Sequence, residues 1–190
     1  LALFWMSSAA DQANYDAICE LATWYCYGYC GLEADTVEAH NILETAVAQG
    51  SAKAKSLLAE WYKEGNGVEK NSKKSFELLS QASAAGFEEA TLQLVFYYLI
   101  GIGTAVSGDK AFDLVSNLSE NERVAQMRLF GLLYYQGMGA EKDAKKACEY
   151  WKEAADLGDG YSAFRLGKCY YSGEGVTEND EEALTLLSQA

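Results

Sequence analysis

A tyrosine returns along this chain at Tyr25, Tyr62, Tyr98, Tyr134 and Tyr170, in steps of 37, 36, 36 and 36 residues. Three positions after each stands a glycine: Gly28, Gly65, Gly101, Gly137 and Gly173. A second glycine follows at Gly31, Gly67, Gly103, Gly139 and Gly175, so the first unit carries one additional loop residue and the other four stay in register. Further on, a small residue recurs as Ala39, Ser75, Ala111, Ala147 and Ala183, and seven residues later come Ala46, Ala82, Leu118, Ala154 and Ala190. A fixed period of this length confines the chain to a repeat architecture, in which each unit buries its apolar face against its neighbours.

Each unit reads as two amphipathic helices. In the second, Ala54, Leu58, Trp61 and Tyr62 share one face of a helix A, because spacings of three and four bring side chains over one another. Gly65-Asn66-Gly67 ends that helix, since glycine accepts the left-handed geometry of a helix stop. Asn71 or Ser72 then caps a helix B, which runs through Phe76, Leu79 and Ala82 to Ala84-Ala85-Gly86. No period-two alternation supports strands. The predicted organisation is one repeat domain over 1–190: a partial unit at 1–12, full repeats at 13–50, 51–86, 87–122 and 123–158, and a last repeat at 159–190. Because the chain begins and ends inside a helix B, it is expected to be a fragment of a longer array. The third repeat breaks the pattern at Thr104, Leu118 and Glu122, which predicts a displaced helix B and following turn.

The columns read Ala-x-x-x-Leu-Gly-x-x-Tyr-x-x-Gly-x-Gly-Val, followed by Asp, Lys-Ala and Ala-Ala-x-x-Gly, and they resemble the Sel-one-like repeat, a relative of the tetratricopeptide repeats. The stretch Ser162-Ala-Phe-Arg-Leu166-Gly167-Lys-Cys-Tyr170-Tyr-Ser-Gly173-Glu-Gly175-Val176, preceded by Ala154-Ala155-Asp-Leu-Gly158, carries the likeness best. The resemblance covers nearly the whole chain. It implies an all-α, right-handed superhelix and a non-enzymatic role as a protein-interaction scaffold or adaptor, with helix A lining the concave wall. Two alternatives come with it: a hydrolase or small-ligand-binding protein of the family's cysteine-rich branch, or the regulatory repeat arm of a larger multi-domain protein. In that branch disulfides join neighbouring helices. A bridge between Cys148 and Cys169 is left open here.

Charge and composition narrow the partners. Among 190 residues, 28 are acidic and 15 basic, for a net charge of −13, which repels phosphate backbones and anionic headgroups. Nucleic acid is therefore not an expected partner. No apolar run approaches the roughly 18 to 20 residues that cross a bilayer, so no membrane insertion by this segment is expected. Five cysteines, at 19, 26, 30, 148 and 169, form no regular framework and fit a reducing compartment slightly better than an oxidising one.

Candidate chemistry resolves mostly into structure. His40 falls in a helix B column otherwise filled by Phe76, Phe112, Cys148 and Leu184, and reads as a core residue. Cys169 shares a column with Trp24, Trp61, Tyr97 and Leu133, and reads as a buried apolar substitute. Cys19, Cys26 and Cys30 with His40 give only a weak zinc signal, and no metal or cofactor is expected. The glycine pairs lack the Gly-Lys-Ser/Thr of a phosphate loop. Glu88-Glu89 and Glu181-Glu182 are adjacent, as helix starts are, and not facing as an acid/base dyad would be.

The predicted contact surface lies on helix A, opposite its apolar face. If Ala54, Leu58, Trp61 and Tyr62 face inward, positions 56, 60 and 63 lie about 180° away. Across the units this stripe reads Cys19, Thr23, Cys26; Ser56, Glu60, Lys63; Leu92, Phe96, Leu99; Arg128, Leu132, Tyr135; and Phe164, Lys168, Tyr171. The last three triplets, rich in apolar residues, tyrosine and two cations, are the expected partner-binding wall for a protein or peptide, with self-association as a variant.

Overall fold

The structure is a computed structural model that describes residues 2–12 and 14–190; Leu1 and Ala13, which bound predicted units, lie outside them. The described residues form no strand. They fold into eleven α-helices: α1 (Ala2–Asp11), α2 (Tyr15–Tyr27), α3 (Thr36–Ala48), α4 (Ala52–Glu64), α5 (Ser72–Ala84), α6 (Glu88–Ile100), α7 (Gly108–Ser116), α8 (Arg123–Gln136), α9 (Ala144–Asp156), α10 (Gly160–Ser172) and α11 (Asp180–Gln189). The even-numbered helices are helix A of successive repeats and the odd-numbered ones helix B. This is the all-α, solenoid-class fold that the period requires. The chain divides into two compact units, Leu1–Ala105 and Val106–Ala190, so the boundary falls inside the third repeat. No described helix is long and apolar enough to cross a membrane.

The conserved spacing of each hairpin has a local cause. Helix α4 stops at Gly65, whose φ of 86° lies in the left-handed region and whose N–H is donated to the Trp61 carbonyl. The second glycine answers to a close approach: a Cβ on Gly103 would lie 2.0 Å from the Ser72 carbonyl oxygen, so the turn after α6 rests on the first residue of α5. Four of these turns return to helix A through a backbone bond to the recurrent tyrosine's carbonyl, from Asp35 to Tyr25, Asn71 to Tyr62, Asp143 to Tyr134 and Asn179 to Tyr170. The same four residues cap the following helix B with their side chains, Asn71 Oδ1 accepting from the Lys74 N–H at 2.9 Å.

Departures from the period are absorbed locally. The additional residue of the first repeat is taken up by a 3₁₀ turn, Tyr29–Gly31, in which Cys30 adopts the left-handed conformation at φ 56°. In the third repeat α7 has 9 residues where α5 and α9 have 13. Leu118, which occupies the alanine column, falls beyond its end, and a second 3₁₀ turn, Glu120–Glu122, leads into α8.

Each unit has its own core. In the first, Leu43, Leu58, Trp61 and Leu79 are buried among the small columns Ala39, Ala46, Ala54 and Ala82. In the second, Trp151, Leu133, Leu166, Cys148 and Cys169 are buried. All five cysteines are free thiols, so the Cys148–Cys169 bridge is not formed.

Candidate functional site

The helix-A stripe is narrower than the 180° geometry predicts. In the first unit Cys19, Cys26 and Ser56 are buried where exposure was expected, while Glu60 between them is exposed. The reason is that α2 packs directly on α4 as well as on α1 and α3, so neighbouring helix A elements cover the flanks of each other's outer face. What remains open there is a cleft of about 160 Å³ bordered by Thr23, Lys53, Glu60 and Glu89 together with Leu57 and Phe87. Burial pushes the Cys19 thiol up to about 11. On α6, Phe96 is 47% exposed, Leu92 half-buried and Leu99 buried.

In the second unit the stripe runs over α8 and α10. Phe164 and Tyr171 are 44% and 70% exposed, and Lys168, also exposed, lies 5.8 Å from the Phe164 ring centre. Arg128 is engaged internally: its guanidinium meets Asp159 at 3.0 Å, and that carboxylate also caps α10 through the Ser162 N–H and hydroxyl. Leu132 and Tyr135 are half-buried. The Tyr135 hydroxyl donates to Glu174 Oε2 at 2.7 Å, and this bond holds the phenol above its ordinary range. Tyr135, Lys168 and Tyr171 come together with Arg165 and Glu174 around a cleft of about 310 Å³.

Two members of this cleft escaped the sequence reading. The Arg165 guanidinium stacks 4.8 Å from the ring centres of both Tyr135 and Trp151. It stands three residues before Lys168 and shares its face, so a wider stripe would have included it. Glu174 lies past the end of α10, where helical periodicity carries no signal. Lys142 meets its other oxygen at 3.6 Å.

The remaining candidates are structural. His40 is half-buried and packs edge-on to Tyr62 at 6.2 Å. Cys148 donates a weak hydrogen bond to the Glu174 carbonyl, and contact with Cys169 together with burial pushes its thiol up. Cys30 is exposed whereas Cys19 and Cys26 are buried, and among the described residues no cluster of three His, Cys, Asp or Glu side chains is placed to hold a metal.

With this geometry in hand, comparison with known proteins is direct. The Sel1 repeat model matches residues 1–14, 16–51, 52–87, 123–159 and 160–190. The chain belongs to the Sel1 repeat family. The stretch left unmatched is the third repeat, whose helix B is short. Among solved structures, the chain is similar to a protective antigen of uropathogenic Escherichia coli displaying an SLR fold, with 26% identity and a TM-score of 0.83 over 99% of this chain and 40% of that one. It is similar also to a Sel1 repeat protein from Oxalobacter formigenes, with 27% identity and a TM-score of 0.82 over 94% of this chain and 73% of that one. The chain thus spans well under half the length of the first of these. Sel1 repeat arrays commonly serve as protein-interaction scaffolds.

Proposed function

We propose that this Sel1 repeat array is a non-enzymatic scaffold that binds a protein or peptide partner on its helix-A face. The observation that carries the reading is the cleft of the second unit. Exposed Tyr171 and Phe164 flank Lys168, while Arg165 and Tyr135 are held rigid by stacking and by Glu174. Rigid aromatic and arginine side chains lose little entropy on binding and supply most of the energy at interface centres. In the first unit Phe96 offers a second anchor on α6. Leu92, Leu132 and Tyr135 contribute their half-exposed edges, whereas Leu99 and Arg128 act through packing and the Asp159 ion pair.

The test is a partner isolated by affinity purification with the intact chain, followed by titration against variants. Replacing Phe164 and Tyr171 with serine lowers affinity by at least about tenfold, the loss of one to two anchors, while far-UV circular dichroism stays unchanged. Unchanged affinity contradicts the proposal. A chain that captures only itself, with a dimer lost on the same substitutions, assigns the face to self-association.

A further inference from the structure

One contact recurs between successive repeats: an aromatic residue of helix B sits edge-on against the recurrent tyrosine of the next helix A. His40 meets Tyr62 at 6.2 Å and 87°, Phe76 meets Tyr98 at 5.4 Å and 83°, and Phe112 meets Tyr134 at 5.7 Å and 85°. The tyrosine ring also receives a cation from the helix B that follows, Lys74 over Tyr62 at 4.3 Å and Lys146 over Tyr134 at 5.1 Å. Around Tyr134 the site is filled further by Phe130 and by Tyr150, which stacks on it at 5.6 Å.

At Tyr170 the ring and cation columns both change: the Phe112 position is Cys148 and the Lys146 position Glu182, while Leu166 and Leu186 match the leucines that the Phe130 and Tyr150 columns carry at Leu94 and Leu114. Among the described residues no ring and no cation is seated on Tyr170. Cys148 is much smaller than the rings its column carries at Phe76 and Phe112. A pocket of about 720 Å³, within the 300 to 1,000 Å³ range of ligand sites, is lined by Cys148, Leu166, Tyr170 and the 173–179 turn, with Lys145, Glu149 and Lys152 at its border.

We infer that this pocket is a receptor for one aromatic side chain of a polypeptide partner, seated edge-on against Tyr170 in the place that Phe112 takes against Tyr134. The chain itself supplies the template: at three of the five recurrent tyrosines an aromatic ring is held in one orientation, while Tyr170 keeps the flanking aliphatic residue and the turn but has Cys148 in the ring's column. Aromatic pairs in this T-shaped geometry gain from their quadrupoles beyond the area they bury, so a ring is favoured over an aliphatic side chain of similar size. Cys148 is no competing nucleophile, being buried at the pocket floor and hydrogen-bonded to Glu174.

This inference takes from the proposed function only that the partner is a polypeptide. The pocket opens beside α9 and the turn after α10, not on the residues of the helix-A stripe, so the two readings fail separately.

The test is titration of the intact chain with N-acetyl-phenylalaninamide and, in parallel, N-acetyl-leucinamide, read by amide chemical shifts. The expected result is saturable, millimolar-range perturbation by the phenylalanine compound confined to the 173–179 turn and the residues around Cys148, with several-fold weaker effects from the leucine compound. Cys148→Phe, which restores the pattern of the other repeats, is expected to abolish the perturbation and raise the thermal midpoint by a few degrees. Should that variant fail to fold, Cys148→Leu, the residue its column carries at Leu184, is expected to weaken binding several-fold. Perturbation that is absent, equal for both compounds, or undiminished in the filled variants overturns the inference. A Phe164→Ser, Tyr171→Ser chain retains the response if the pocket reading holds, whatever becomes of the helix-A wall.

Discussion

Trp151 is fully buried, and the space for its indole comes from a residue on the facing helix: a Cβ on Gly131 would lie 2.3 Å from Trp151 Nε1. The helix-interior glycine is thus the complement of the largest side chain in its column, which elsewhere reads Leu43, Leu79, Val115 and Leu187. Helix propensity alone favours Gly131→Ala by about 1 kcal/mol. Overpacking opposes it by about 1 to 3 kcal/mol, and since the indole is hemmed in on all sides the steric term wins. Urea denaturation is expected to show Gly131→Ala destabilised by about 1 kcal/mol. In a Trp151→Leu chain the same substitution turns stabilising, because the obstructing ring is gone. A glycine that destabilises less than alanine in both backgrounds contradicts the pairing. Gly131 matches the motif glycine that Gly167 also carries, and Trp151 departs from the aliphatic residues of its column, but only the structure shows that the two touch. Arg165 and Glu174 were hidden for a related reason: their columns vary freely, and a varying column does not say which neighbour its side chain will find.

At the scale of the elements, a hydrogen-bonded chain ties three helices of the first unit together. The Ser75 hydroxyl on α5 donates to the Ala59 carbonyl on α4 at 2.6 Å and lies 2.7 Å from the Tyr97 hydroxyl on α6. A serine hydroxyl has one proton, so Tyr97 must donate to Ser75. Ser75 is the polar exception in an alanine column and Tyr97 stands where Trp61 and Leu133 stand in other repeats, so two departures from pattern satisfy each other. Ser75→Ala is expected to cost about 1 to 3 kcal/mol by leaving the Tyr97 hydroxyl buried without an acceptor. Adding Tyr97→Phe recovers part of that loss, and thermal unfolding of the single and double variants measures it. Strictly additive losses contradict the coupling. The helix pairs, a cap of α5 at Asn71 or Ser72 and a disturbance of the third helix B around Leu118 were legible because each follows from local chemistry repeated in register, whereas the choice of Asn71 and the shortening of α7 come from the structure. The accessible stripe was only half legible. Its centre, at Glu60, Phe96 and Lys168, is open as the helical geometry requires, but its edges at Cys19, Cys26 and Ser56 are closed by the adjacent helix A, a contact that no single helix's periodicity reveals.

For the whole molecule, the period determines family and architecture, while the proposed function rests on what the period leaves free. Scaffold columns are alike across repeats because each repeat must dock on the next. Phe164, Lys168 and Tyr171 answer to no such demand, and their exposure is what a binding surface presents to a partner. The central claim, that partners engage helix A, is tested most directly by site-specific photo-cross-linking in the native cellular setting. A benzophenone amino acid is placed in turn at 96, 164 and 171, and, as a control, at the exposed helix-B position of Glu77. The account predicts a discrete protein adduct from the helix-A positions and none from position 77. Adducts from position 77 with none from 96, 164 or 171 would contradict it.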